Sequence, residues 1–244
     1  MYLRHRSQRI GRSAPSLLAL CLLCSAFASA DVLYSNGPYT GNGPKTGIAS
    51  AWRIDFGFTV ADTFTLSASS ILTSVDIVVW GSPGGNPTSL DWTILSGGPS
   101  TGSGPQCFGP CGGTILVGPQ TGSLSSVFDA TNRFGYSIYT ATFSLPSVLL
   151  PAGTYWLALD NAVSANGSDI SWDQNDGPSR AWDSGAGYLT PTRCQLTFPP
   201  TGSVNCSETF DVNGAAVPEP GSIALFGSAA LILAGGLRRK FFRH

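Results

Sequence analysis

From Asp31 to about Gly214 the chain is a succession of short β-rich runs broken by clusters of Gly, Pro, Ser and Asn. No amphipathic helix of useful length interrupts them. Apolar residues alternate at period two, so each run presents one face to a core and the other to water. Ile71–Trp80 aligns Val75, Ile77 and Val79 on one face. Gly135–Phe143 aligns Tyr139, Ala141 and Phe143, and Gly153–Asp160 aligns Tyr155, Leu157 and Leu159. Shorter runs read as strands at Asp62–Leu66, Leu90–Leu95, Thr114–Val117, Asp169–Asp173 and Glu208–Val212. Eight or more short strands with turn-rich joints predict an all-β fold, a jelly-roll-like β-sandwich. The 30 Gly and only 11% charged residues would suit a disordered chain, but 11% aromatics supply a core.

The charges are segregated. Residues 31–217 hold five Lys/Arg (Lys45, Arg53, Arg133, Arg180, Arg193) against thirteen Asp/Glu, a net charge of −8, while the remaining basic residues sit at the two ends. An acidic domain is repelled by phosphate backbones, which argues against a nucleic-acid partner.

Residues 1–30 read as a secretory signal peptide. Arg4, Arg6, Arg9 and Arg12 form its positive region, Ser16–Cys24 its apolar core, and Ala28-Ser29-Ala30 its cleavage site, so the mature chain is expected to start at Asp31. This implies passage through the Sec translocon and cutting by signal peptidase between Ala30 and Asp31. At the other end, Ser222–Leu237 is a sixteen-residue uncharged stretch. As a helix it spans about 24 Å, close to the membrane's hydrocarbon thickness. The basic tail 238–244 follows and, by the positive-inside rule, faces the cytoplasm, leaving the domain outside. The predicted organisation is therefore a signal peptide at 1–30, an exported domain at 31–214 and a C-terminal signal at 215–244.

Val217-Pro218-Glu219-Pro220, then a short transmembrane helix at 222–237, then a basic end, resembles the PEP-CTERM sorting signal of bacterial proteins. The resemblance implies recognition and cleavage by an exosortase, with Val217, Pro218, Glu219 and Pro220 as residues that are read rather than residues that catalyse. Two prolines around one residue hold an extended, hydrogen-bond-poor segment that fits an enzyme cleft. Ala61–Leu66, Ile71–Asp76 and Leu150–Leu157 also resemble, more loosely, β-sandwich domains found in proteins tagged this way. The implied location is the inner membrane before processing, then the cell surface, the outer envelope or the exterior.

Four cysteines remain after the signal peptide: Cys107, Cys111, Cys194 and Cys206. An even number in an exported chain predicts disulfides. Three pairings are open, and closeness in sequence favours Cys107–Cys111 with Cys194–Cys206. Neither pair has the two-residue spacing of a zinc knuckle.

The two histidines, His5 and His244, lie outside the domain. Ser-His-Asp triads, Cys-His dyads and His-ligated zinc therefore find no imidazole there. The expectation is a non-catalytic domain without a cofactor. Within Ser171–Asp183, Trp172 and Trp182 flank Asp173 and Asp176. Aromatic faces beside acids suit a sugar platform, and two carboxylates suit a glycoside hydrolase. Asp173, Asn175 and Asp176 offer hard oxygens for calcium, although the spacing departs from an EF-hand loop. Two functions thus stand beside each other: a structural or adhesive protein of the envelope or extracellular polysaccharide matrix, and a carbohydrate-binding module, with a two-carboxylate glycosidase as the lesser alternative.

Overall fold

The computed structural model describes residues 30–39, 51–97, 113–175, 177–179, 181–184, 192–193, 195–198, 202–205 and 207–218. The signal peptide up to Ser29, all four cysteines, Asp176, Glu219, Pro220, the apolar stretch and the basic tail lie outside these residues.

Sixteen strands occur in the described residues: β1 (Asp31–Ser35), β2 (Ala51–Arg53), β3 (Thr59–Leu66), β4 (Ser70–Gly81), β5 (Pro87–Ser96), β6 (Thr114–Ser123), β7 (Ser125–Thr131), β8 (Ser137–Leu150), β9 (Gly153–Ser164), β10 (Ile170–Asn175), β11 (Trp182–Ser184), β12 (Thr192–Arg193), β13 (Gln195–Phe198), β14 (Gly202–Asn205), β15 (Ser207–Glu208) and β16 (Phe210–Ala216). All pairings are antiparallel. One sheet is built on β1-β16-β4, with β8 and β7 continuing beyond β4 and β10 sharing the β16 side. The second runs β12-β11-β3-β9-β5-β6, and β13 and β14 form a separate two-stranded pair. The central orders 1-16-4-8 and 3-9-5-6 interleave as a jelly roll, so the predicted fold class is the observed one.

The predicted strand faces are the observed core faces. Val75, Ile77, Val79, Tyr139, Ala141, Phe143, Tyr155, Leu157 and Leu159 all enter one buried cluster. Trp92 stacks on Phe143 with ring centroids 6.0 Å apart. A chain of ring contacts crosses between the sheets, from Tyr155 through Phe64 (5.6 Å) and Tyr34 (6.3 Å) to Phe210 (5.6 Å) and Trp172 (5.5 Å). Trp80 and Trp156 join small clusters on the outer faces, with Val78 and Ile138 and with Ala61 and Leu95 respectively. Alternation explains this. Position 80 shares a face with 78, opposite to the core face carrying 75, 77 and 79 in its own strand.

β16 is the last strand of the domain, yet it lies inside its sheet. It pairs with β4 along Phe210–Ala216 and with β1 from Asp211 to Gly214. At the irregularity beside Gly214, a Cβ would sit 2.0 Å from the Ile71 carbonyl oxygen, so only glycine lets the strands approach there. Gly214→Ala is therefore expected to destabilise the domain by about 1–3 kcal/mol through forced backbone shifts. Phe143→Ala, which leaves a cavity against Trp92, is expected to cost about 3–5 kcal/mol. Chemical denaturation of the two variants measures both.

Candidate functional site

Two features stand out from a generic sandwich: a knot of buried polar groups at the seam of the two sheets, and a shallow depression beside an exposed phenylalanine.

The knot starts from an acid in a core position. β3 alternates Val60, Asp62, Phe64 and Leu66 toward the interior, and all four are buried. The Asp62 carboxylate accepts from Thr63 N (2.6 Å), Glu208 N (2.7 Å), Asn36 Nδ2 (3.0 Å) and Ser207 Oγ (3.1 Å). These donors come from β3 itself, from β15 and from the segment after β1, so one side chain joins both sheets. Asn36 Nδ2 also lies 2.7 Å from Ser179 Oγ and 2.6 Å from the Glu208 carbonyl. An amide nitrogen has two hydrogens, so it serves these acceptors in turn. Asn36 Oδ1 accepts from Tyr34 Oη and Ser179 Oγ, each at 2.9 Å.

The electrostatics follow from burial. Loss of hydration pushes Asp62 up to about 6, against the pull of its hydrogen-bond donors. Burial and the nearby Asp62 carboxylate push the Tyr34 hydroxyl up to about 12. Glu208 is fully buried, and burial raises it well above the usual carboxyl range; the Asp62, Asp173 and Asp183 carboxylates add to the rise, while a hydrogen bond from Gln174 opposes it. Its Oε1 accepts from Gln174 Nε2 at 3.0 Å, and its Oε2 meets no hydrogen-bond partner among the described residues. Asp183 on β11 is half-buried, and burial pushes it up to about 6.

The sequence-predicted site residues do not come together as a surface platform. Trp172 is 0% exposed, packed on Phe210 with its Nε1 donating to the Thr209 carbonyl at 2.9 Å. The expectation of a sugar platform on Trp172 is corrected: its position shares the core face with Ile170, so its ring has no free side. Asp173 is equally buried, accepting from Trp80 Nε1 (2.6 Å) and Thr209 Oγ1 (2.9 Å). A buried carboxylate with both oxygens engaged offers no surface for a glycan, which corrects its placement in that platform. Asn175 is buried as well, donating to the Asn36 carbonyl at 2.7 Å and accepting from Gly177 N at 2.9 Å. Trp182 is partly buried on β11, opposite Ala61. Asp176 lies outside the described residues. Among the described residues no group of three or more His, Cys, Asp or Glu could hold a metal ion.

The depression encloses about 350 Å³ and is lined by Asp55, Phe56, Asn161, Val163, Ser164 and Ser168, among others. Phe56 is 63% exposed at the tip of the turn between β2 and β3. Phe56 and Asn161 both have φ of +49°, an uncommon state for residues with a side chain. The turn is held by Phe58 N on the Asp55 carbonyl (2.9 Å), and the irregular β9 backbone by Ala162 N on the Ile54 carbonyl (2.8 Å). Arg53 braces the rim. It donates to Asp55 (2.9 Å) and Asp169 (3.1 Å), and its guanidinium lies 5.0 Å from the Phe56 ring centroid. Sequence reasoning missed this site, whose signal was an aromatic inside the turn Asp55-Phe56-Gly57-Phe58. It also missed the knot, whose signal was Asp62 at a core position of its own strand.

The sorting end is described as far as Pro218. Val217 N donates to the Ser69 carbonyl at 2.7 Å, and Pro218 is exposed just beyond the sheet. Residues 216–240 match the family model of the PEP-CTERM protein-sorting motif. The chain carries a PEP-CTERM sorting signal. That signal marks it as an exosortase-sorted protein of the envelope or exterior. No curated protein matches the chain, and the PEP-CTERM match stops at the tail.

Raised carboxyl groups give the domain a pH signature. Both states are protonated at low pH. As pH rises past the ordinary value of 3.8, an unfolded Asp62 loses its proton while the folded one holds it until about 6. The folded state then binds more protons than the unfolded one, so stability falls with rising pH across that window. Asp183 and Glu208 act in the same direction. Melting temperatures are expected to drop between pH 4 and pH 6.5, and Asp62→Asn to flatten the drop. A wild-type midpoint that rises over this range would contradict the assignment.

Proposed function

We propose that the sandwich is a non-catalytic passenger with a structural or adhesive role in the envelope or the extracellular polysaccharide matrix, reached through the Sec translocon, signal peptidase and exosortase processing. The observation that carries this reading is the state of the acids. Asp62, Asp173 and Glu208 are fully buried and bonded to the domain's own groups, so they close a seam and face no substrate. Asp183, half-buried with a raised pKa, is the acid best placed to act on a ligand and therefore the fair test. Cells lacking the chain are expected to lose adhesion or matrix cohesion, and the Asp183→Asn protein to restore it in full. A folded, correctly sorted Asp183→Asn protein that restores nothing would favour the glycosidase reading instead.

A second reading, carbohydrate binding, is favoured by the depression at Phe56. An exposed ring braced by Arg53, with Asn161 and Ser168 in the same lining, combines an apolar face with polar groups, as neutral sugars require. A net charge of −8 disfavours anionic polymers. Affinity electrophoresis in neutral polysaccharide gels is expected to show retardation that weakens about three- to tenfold in Phe56→Ala. Equal mobility of the variant and the parent in every gel would remove this reading. A calcium ion at Asp173 and Asn175 gains no support from the geometry, because protein donors or the protein backbone already engage their side chains.

A further inference from the structure

We propose that Asn36 and Ser179 become joined by an ester bond, which the folded domain forms on itself with loss of ammonia. The reacting groups sit in the knot at the seam of the two sheets. Ser179 Oγ lies 2.7 Å from Asn36 Nδ2 and 2.9 Å from Asn36 Oδ1. An oxygen placed so against both heteroatoms of a planar carboxamide is at most about 3.2 Å from the carbon between them. That is the separation of a near-attack arrangement. The neighbours fix which way the amide faces. Nδ2 meets two acceptors, the Asp62 carboxylate (3.0 Å) and the Glu208 carbonyl (2.6 Å), and Oδ1 meets the Tyr34 hydroxyl (2.9 Å).

The surrounding groups match the needs of acyl transfer. Ser207 Oγ lies 2.6 Å from Ser179 Oγ and 3.1 Å from Asp62 Oδ2, so the serine proton has a path to the carboxylate. Asp62, raised by burial to about 6, is a stronger base than an ordinary aspartate and is still ionised at neutral pH. The Tyr34 hydroxyl donates to the oxygen on which negative charge develops. Asp62 Oδ2 also faces Nδ2, the atom that must leave. Asn36, Asp62 and Ser207 are fully buried, which keeps water from competing with the serine.

The step balances without a second reactant. Ser179 Oγ bonds to Asn36 Cγ while its proton passes through Ser207 to Asp62. The Cγ–Nδ2 bond then breaks, Nδ2 takes the proton back from Asp62, and ammonia departs. One amide and one alcohol become one ester and one ammonia, which neutral water protonates and so withdraws from the reverse reaction. The bond joins residues 143 positions apart and ties the end of β1 to the segment after β10. Among the described residues β1 pairs only with β16, so the tie holds β1 against the sheet even where its ladder opens.

Peptide mapping by mass spectrometry of the full chain, recovered folded from the cell envelope, tests this. Trypsin cuts after Lys45, Arg133 and Arg180. The expected product joins the peptide ending at Lys45 to the peptide 134–180, lighter than the two together by one ammonia. Ser179→Ala, shown to be folded by circular dichroism, is expected to give both peptides separately at full mass. Folded Asp62→Asn is expected to form the link at least about tenfold more slowly. Separate, full-mass peptides from the folded parent would overturn the proposal. So would a loss of ammonia that stays within the first peptide and survives in Ser179→Ala, since that marks closure of Asn36 onto the Gly37 backbone nitrogen instead.

Discussion

The pairing of β16 with β4 is the interaction on which the rest of this domain depends. β4 is the longest central strand contact: it carries β8 along one side, and β16 and then β10 along the other. Without β16, β1 has no partner in its sheet, and the buried rings of Phe210 and Trp172 lose their contact. A jelly roll whose last strand lies in the interior cannot close until that strand arrives, since loop closure across the whole chain comes before its contacts form. For an exported chain this means that the sheet is completed only when residues up to Ala216 have crossed the membrane. The sorting motif follows at the next position, so folding and sorting meet at one point in the chain.

The polar knot depends on the same strand. Glu208 and Ser207 precede β16 by one turn of chain, and their place beside Asp62 follows from where Phe210 is seated. Burying several acids in one seam is costly unless each gains hydrogen bonds or keeps its proton. Asp62 takes the first route with four donors, while at Glu208 burial, with three other carboxyl groups nearby, favours the protonated form. Such a knot restrains which strand edge meets which, because a slip of one residue would put an acid against Phe64 or Phe210 instead of against its donors.

Much of the sandwich was legible from alternation alone. Val75, Ile77 and Val79 on β4, and their counterparts on β8 and β9, show the period-two pattern that a half-buried strand imposes, and each lies where that pattern puts it. Short strands such as β1, β2 and β15 were not legible, because two to five residues carry too little pattern to separate from a turn. The candidate sites were read less well, for a physical reason. Trp172 and Asp173 were grouped as neighbours in sequence, but neighbours on a strand point to opposite faces: one entered the core and the other met Trp80. Asp62 and Glu208 each open a run that reads as a strand, Asp62–Leu66 and Glu208–Val212, and the run alone assigns the acid no role. Each in fact continues a core-facing alternation, Val60-Asp62-Phe64 and Glu208-Phe210-Val212, and an acid in such a register must find partners across the sandwich. Those partners lie up to 172 positions away in the chain, which no local pattern contains.

The register also decides which end of the domain is available to meet anything. Ser70 lies opposite both Ala216 and Leu150, so these residues share the sorting end with Asp31. Gly81, at the other end of β4, lies opposite Ser137 and Ile170. β3 and β9 follow the same sense: Leu66 pairs with Gly153 close to the sorting end, and Val60 with Leu159 away from it. The turn bearing Phe56 precedes Thr59, and the depression includes Ser164 and Ser168 just before β10, so both belong to the far end. Eleven residue steps along β4 place the two ends about 36 Å apart. The Phe56 depression therefore lies at the end of the sandwich opposite the sorting motif. That end carries the exposed ring, while the buried acids hold the sheets together along the seam. The placement of a single interior strand thus fixes where the sorting motif leaves the sheet and how far from it the exposed ring stands.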